Sequence, residues 1–225
     1  MKHLLKWILS FTIILFLSVG TATAVTIQNA PGSEENLQDI INHIGATSVT
    51  NVNNDQITDD AEWSTSSTTS TMIIEFAGYA PNNKFGIYEW GTPDNKQQIF
   101  AGSDTQGSRI TIDITWDSFG FYFINQPGDV FYSDTELNDD DSDHMVAFQG
   151  NDYDMITLPG FSQTVWSSSQ FILAWEDLYG GGDMDFNDMV LMVDLNSVPE
   201  PTTMLLLGTG LIGLATLGRR KFFKR

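Results

Sequence analysis

The chain has 225 residues, no cysteine and a formal net charge of −19. That charge argues against nucleic acid or an anionic membrane as a simple partner, because the protein's own field repels phosphate. With no disulfide to staple it, the fold needs a sizeable hydrophobic core, bound ions, or both.

Residues 1–24 read as a secretory signal peptide, with an uncleaved anchor helix as the alternative. Lys2 and Lys6 form the positive n-region, Trp7 to Val19 the apolar h-region, and Ala22-Thr-Ala24 a small-x-small cleavage site. Cleavage there makes Val25 the mature N-terminus. From Val25 to Ser197 there are three bases and 28 acids, a net charge of −25. Such a surface suits divalent cations and keeps an exported protein soluble.

Residues 25–70 read as an N-terminal helix and a polar segment. Ser33 is the expected N-cap, with Glu34 and Glu35 in the first turn. Leu37, Ile40, Ile41 and Ile44 recur on one face, and Gly45 ends the helix. His43 reads as a polar-side residue near its C-terminus. Asn51 to Thr71 is polar, with Trp63 as its one strong anchor, and reads as loop with at most one strand.

Residues 71–197 read as a β-sandwich domain. Met72 to Phe76, Phe85 to Trp90, Gln98 to Ala101, Arg109 to Trp116 and Phe119 to Asn125 are short runs rich in β-branched and aromatic residues. Ile110, Ile112 and Ile114 alternate with Thr111, Asp113 and Thr115, the pattern of a half-buried antiparallel strand. Ala80-Pro-Asn-Asn83, Gly91-Thr-Pro-Asp94 and Gln126-Pro-Gly128 carry turn signals. The predicted class is all-β: an antiparallel sandwich or jelly roll with one short helix.

Residues 133–154 form an acidic region, with Asp139, Asp140, Asp141 and Asp143 before His144, and Asp152 and Asp154 after it. A solvated loop is one reading. The other folds Asp143 or a neighbour over to complete a metal site. With no second His nearby and no Cys, His144 reads as packed or bonded to a carboxylate rather than as a zinc ligand.

The chain is organised around Phe171 to Asp194. A hydrophobic strand runs into Glu176 and Asp177, three glycines follow, and Asp183, Asp185, Asn187 and Asp188 precede a second hydrophobic strand. Asp183, Asp185 and Asn187 at i, i+2 and i+4 suit a tight loop turning alternate side chains onto one hard cation, and calcium takes six to eight oxygen ligands. The glycines supply the positive φ values of a sharp turn. The EF-hand template matches these three positions and Asp194 at position 12, but its Gly at position 6 is Asp188, and Met189 to Val193 reads as a strand. Glu176, Asp177, Asp183, Asp185, Asn187 and Asp188 are the candidate ligands, with calcium favoured over magnesium by the many carboxylates. The alternative is a solvated acidic hairpin without an ion.

The C-terminal segment, residues 198–225, runs from Pro199-Glu200-Pro201 through an apolar stretch, Met204 to Leu217, to a basic end. The order resembles the PEP-CTERM sorting signal of Gram-negative bacteria. That implies processing by an exosortase, with the precursor held in the inner membrane by its C-terminal helix and the product delivered to the cell surface or extracellular matrix; a plain C-terminal membrane anchor is the alternative. Trp175-Glu176-Asp177-Leu178 and Gly181-Gly182-Asp183-x-Asp185-Phe186-Asn187-Asp188, with the strands around them, resemble the domain of unknown function 4114. Asp143-His144, Glu75-Phe-Ala-Gly-Tyr-Ala80, Asn83-x-Phe85-Gly-Ile-Tyr88 and Ile99-Phe-Ala-Gly102 are also similar to that family. The resemblance implies a β-rich extracellular domain and supplies no activity.

No Gly-x-Ser-x-Gly, His-Glu-x-x-His or cysteine nucleophile is present, so catalysis is not expected; a hydrolase using a pair of the abundant carboxylates is the remaining catalytic alternative. Acids in a Gly-rich turn are expected to be solvated, with low pKa values, which suits metal binding better than acid–base work. The function expected is a non-catalytic, calcium-binding structural or adhesive protein. The alternative is a calcium-dependent carbohydrate-binding module for an extracellular polysaccharide, with Trp63, Trp90, Trp116 and Trp166 as sugar-facing candidates against a core-packing role for each.

Overall fold

The computed structural model describes residues 24–45, 50–65, 67–75 and 83–196, with backbone alone for 67–75 and 196. The expected signal peptide up to residue 23, the first three residues of the expected turn at 80–83 and the C-terminal sorting segment with its expected hydrophobic helix lie outside the described residues. Among the described residues no helix is long and apolar enough to cross a membrane.

Eleven strands and one α-helix are described. In chain order they are α1 (Leu37–Ile44), β1 (Ser67–Glu75), β2 (Lys84–Glu89), β3 (Thr92–Ala101), β4 (Arg109–Asp113), β5 (Phe119–Ile124), β6 (Val130–Tyr132), β7 (Met145–Gln149), β8 (Met155–Ile156), β9 (Thr164–Val165), β10 (Gln170–Trp175) and β11 (Met189–Asn196). One sheet runs β4-β1-β11-β10-β7, a second β3-β2-β5-β6, and β8 and β9 form a small hairpin. Every strand pair is antiparallel. The all-β class is therefore observed, as a sandwich.

The core between the sheets joins Phe85, Ile87, Phe121, Phe123 and Phe131 on one side to Met145, Ala147, Leu173, Trp175, Leu191 and Val193 on the other. Trp63 fills one end, edge-on to Phe121 and Phe171. A second apolar layer covers the opposite face of the five-stranded sheet. There Leu37, Ile40, Ile41 and Ile44 of α1, with Ile156, Leu158 and Trp166, pack on Val146, Phe148, Ile172, Ala174, Val190 and Met192. Strands β7, β10 and β11 are thus buried on both faces. This is why their sequences run as unbroken hydrophobic stretches, while edge strand β4 alternates exposed and half-buried residues.

Several boundaries move for physical reasons. The helix begins at Leu37, not after Ser33, and its N-cap position is Asn36. Asn36 is engaged elsewhere: Oδ1 accepts from Ala30 N at 2.9 Å and Nδ2 donates to Asp39 at 2.8 Å. Glu34 and Glu35 therefore sit ahead of the helix. Gly45 does end it, in extended rather than left-handed backbone. His43 contacts the Glu35 carboxylate. The expected turn at 91–94 shrinks to Trp90-Gly91, because β3 already starts at Thr92 and a register shift takes up the residues that follow. Strand β1 extends back through polar residues to Ser67, since it is flanked by β4 and β11 and its backbone is bonded on both sides. The polar segment 51–65 is otherwise irregular and straps the end of the sandwich, with Ile57 bridged to Ala147 and Trp63 to Phe119.

Candidate metal centre

Strands β10 and β11 pair in register, with Trp175 opposite Met189. Residues 176–188 therefore leave and re-enter the sheet at the same end. Backbone handedness shapes the loop. Gly180 and Gly181 have φ of 72° and 78°, and Gly182 has φ 51° and ψ −127°, a region closed to residues with a Cβ. Left-handed residues then alternate: Met184 at φ 60° and Phe186 at φ 52°. They alternate with Asp183, Asp185 and Asn187. Left-handed backbone costs a non-glycine residue about 1 kcal/mol or more. It is held here because Phe186 is fully buried in the outer apolar layer and Met184 packs beside it.

A methyl group at position 182 would lie 2.0 Å from Oε1 of Glu176. Gly182→Ala is therefore expected to lower stability by about 2–3 kcal/mol, through the clash and the closed backbone region together. A urea midpoint equal to wild type would refute this description of the loop.

The loop brings four of the six candidate ligands into two groups. Carboxylate oxygens of Glu176, Asp185 and Asp188 lie within 4.8 Å of one another, and so do those of Glu34, Asp183 and Asp185. Asp177 and Asn187 support them. Asp177 is buried; its N–H donates to Oδ2 of Asp188 at 2.9 Å, and its carbonyl accepts from Asn125 Nδ2 at 2.9 Å. The Asn187 N–H donates to Oδ1 of Asp185 at 3.2 Å, and its Nδ2 donates to the Glu35 carbonyl at 2.9 Å. Asp194 lies along β11, accepting from Ser169 and Gln170, away from the loop.

The expectation of solvated acids with low pKa values does not hold. Glu176 is 0 % exposed and Asp185 1 %. Both carboxylate oxygens of Glu176 and Oδ2 of Asp185 are buried with no hydrogen-bond partner. Burial, with the charges of Asp188, Asp183, Asp185 and Asp177, pushes Glu176 well above the usual carboxylate range. Burial and Asp177 push Asp188 up as well. Burial raises Asp185 to about 6, against the Asn187 N–H that favours its charged form. Asp177 is raised by burial, Asp183 and Glu34.

Two residues of the 133–154 region brace the loop. His144 is fully buried and stacks on Phe131. Its Nδ1 lies 3.1 Å from the Glu176 carbonyl and its Nε2 3.1 Å from Asp140 Oδ2, so both ring nitrogens face acceptors. Asp140 also accepts from the Gly180 N–H. Burial opposes charge on Asp140, but Gly180, His144 and Ser142 together hold its carboxyl below the usual range. Asp140 is thus the neighbour whose carboxylate reaches the loop, at the Gly180 N–H, and it joins neither carboxylate group. Asp143 turns away: Oδ1 accepts from Met145 N at 3.1 Å, and its charge faces Asp60. Glu34 is the residue sequence reading missed. Its only signal was an acidic pair at a helix start, which reads as capping.

Residues 92–196 match the family described as Domain of unknown function (DUF4114), and residues 197–221 match the PEP-CTERM protein-sorting motif. The first of these matches spans a little under half of the chain. No curated protein and no solved structure matches it. The DUF4114 match contains the whole acidic loop and its Asp140–His144 brace, but not Glu34. It starts at the first residue of β3, so β1 and β2, each flanked by strands on both sides, come from outside it. The sorting motif identifies an exported protein processed by an exosortase. Of the four tryptophans considered for sugar contact, Trp63 and Trp166 are buried and Trp90 and Trp116 are half-buried.

Proposed function

We propose that the DUF4114-containing part of the chain is a non-catalytic, calcium-binding structural or adhesive protein of the cell surface or extracellular polymer matrix. In this reading the leader is removed after Ala24. The C-terminal helix anchors the precursor in the inner membrane of a Gram-negative bacterium until the exosortase acts near Pro199-Glu200-Pro201. The observation that carries calcium is the Glu176 carboxylate, fully buried with both oxygens unpartnered and facing Asp185 and Asp188. A buried carboxylate without a partner costs several kcal/mol if charged, and nothing basic answers it: among the described residues no lysine or arginine pairs with an acid. A hard divalent cation supplies the missing partner, and a loop rich in glycine and carboxylates suits calcium over magnesium.

Calcium here would clamp the turn between β10 and β11, two neighbouring interior strands of the larger sheet, and make the domain's rigidity depend on extracellular calcium. The charge of −25 over residues 25–197 adds an exposed surface through which calcium can bridge acidic polymers. Equilibrium dialysis against radioactive calcium in 0.15 M salt with millimolar magnesium tests the reading. Saturable binding that Asp183→Ala/Asp185→Ala removes supports it. No saturable binding by the wild-type protein overturns it. Retention on an immobilised acidic polysaccharide in calcium, with release by chelator, would extend the reading to matrix adhesion.

A further inference from the structure

The two carboxylate groups share one residue. Asp185 stands with Glu176 and Asp188 on its inner side and with Glu34 and Asp183 on its outer side. The inner group is the more enclosed: Glu176 and Asp185 are buried and Asp188 is half-buried. Glu34 and Asp183 are exposed at the rim.

Glu34 is not there by chance of a loose terminus. The N-terminal segment is fastened to the acidic loop on both sides of it. The Gln28 N–H donates to the Met184 carbonyl at 2.8 Å, and Asn187 Nδ2 donates to the Glu35 carbonyl at 2.9 Å. The Glu34 N–H closes a turn on the Pro31 carbonyl. Met184 and Asn187 flank Asp185, so the bonds that place Glu34 are made to the loop that carries the shared carboxylate.

Charge sets the number of ions. Six carboxylates (Glu34, Glu176, Asp177, Asp183, Asp185 and Asp188) meet here. One divalent cation offsets two of them and leaves the outer acids repelling one another around a buried oxygen. Two cations offset four, and the hydrogen bonds to Asp188 and Asp185 stabilise part of the remainder. Oδ2 of Asp185 is buried and unpartnered, and with Oδ1 on the same side chain the carboxylate offers two oxygens, one for each of two ions.

We infer that the loop is a two-cation site in which Asp185 is the shared carboxylate: an inner divalent ion against Glu176 and Asp188, and an outer one against Glu34 and Asp183. The inference rests on the calcium reading above and deepens it. The outer ion ties the N-terminal segment to the β10–β11 loop, so occupancy of the outer position controls docking of the segment that leads into α1. The inner ion, enclosed by buried groups, binds more tightly, and the outer one exchanges with solvent.

The test is calcium stoichiometry by equilibrium dialysis on the full-length protein at pH 7.5, in 0.15 M salt with millimolar magnesium, counting only sites that saturate below millimolar calcium. Two equivalents per chain are expected. Glu34→Gln is expected to leave one equivalent with unchanged affinity and to weaken the second at least tenfold. Asp185→Asn is expected to lose both. Hydrogen exchange over residues 25–45 gives a second readout: calcium slows it in the wild type and not in Glu34→Gln. One equivalent in the wild type, or two tight equivalents retained in Glu34→Gln, overturns the two-cation site while leaving a single calcium position intact. No equivalents overturns both readings. Near-ultraviolet circular dichroism matching the wild type confirms that Glu34→Gln, a change at an exposed residue, is folded when it is measured.

Discussion

Glu176→Gln is expected to stabilise the ion-free protein at pH 8 by about 2 kcal/mol, while removing most of the stability that calcium confers. The two halves have one cause. In the ion-free fold the Glu176 carboxyl is buried beside Asp188, Asp185 and Asp183, and its charged form has no partner. At pH 8 the folded state must therefore either take up a proton or hold an uncompensated charge, while the unfolded chain does neither. Glutamine keeps the shape and avoids both. With calcium present the same charge becomes a ligand, and glutamine forfeits it. At free calcium a thousand times the dissociation constant, binding to the folded state alone contributes about 4 kcal/mol, or about 10 °C in midpoint for a domain of this size. Urea and thermal unfolding of wild type and variant, in chelator and in calcium, give the four numbers needed. A variant less stable than wild type in chelator, with its calcium increment intact, would mean that Glu176 is structural and not a ligand.

The second large effect is a reversal of the pH dependence. Glu176, Asp188, Asp185 and Asp177 all have folded-state pKa values raised above those of the unfolded chain. Between the two values the folded state binds more protons, so stability falls as pH rises. The ion-free protein is therefore expected to be most stable near pH 4–5, to weaken through Asp185 at about 6, and to keep weakening as Glu176 and Asp188 are forced to ionise. Calcium binding displaces those protons, so the increment it provides grows with pH, and the calcium-bound protein is more stable at pH 8 than at pH 5. Asp60, raised to about 8 by burial and by Asp143, keeps a smaller falling slope in both states. Midpoints at pH 5 and pH 8, with chelator and with calcium, check the crossing. Calorimetry in two buffers of different ionisation enthalpy counts the protons released, and the expected count at pH 7 is at least one. Parallel pH profiles with and without calcium would sink the assignment of these acids as ligands.

Much of this was legible in the chain. Leu37, Ile40, Ile41 and Ile44 announce one apolar helical face, and all four are buried. The alternation of Ile110 and Ile112 with polar residues gives a half-buried antiparallel strand, which the fold places at the edge of its sheet. The glycine run and the i, i+2, i+4 oxygens give a strand–loop–strand with an acidic turn, because local backbone handedness is written in residue type. Three short strands, β6, β8 and β9, were missed, since two or three residues carry too little periodicity to separate from loop. The start of α1 was misplaced because Asn36 gives its side chain to Ala30 and Asp39, a choice made by the path of the preceding segment.

The sequence by itself determined the class of the fold, the position of the acidic loop between two hydrophobic strands, and the sorting motif at residues 197–221. These depend on patterns that are local in the chain: side-chain period, turn chemistry and motif order. Tertiary structure alone decided which acids are buried, that Glu34 joins Asp183 and Asp185 from the N-terminal segment, and that His144 and Asp140 brace the loop from a third segment. It also decided that both faces of β10 and β11 are covered. Burial and the meeting of distant segments are properties of packing in three dimensions. The electrostatics of Glu176, a surface carboxylate by composition and an unpartnered buried one in the fold, follow from that packing.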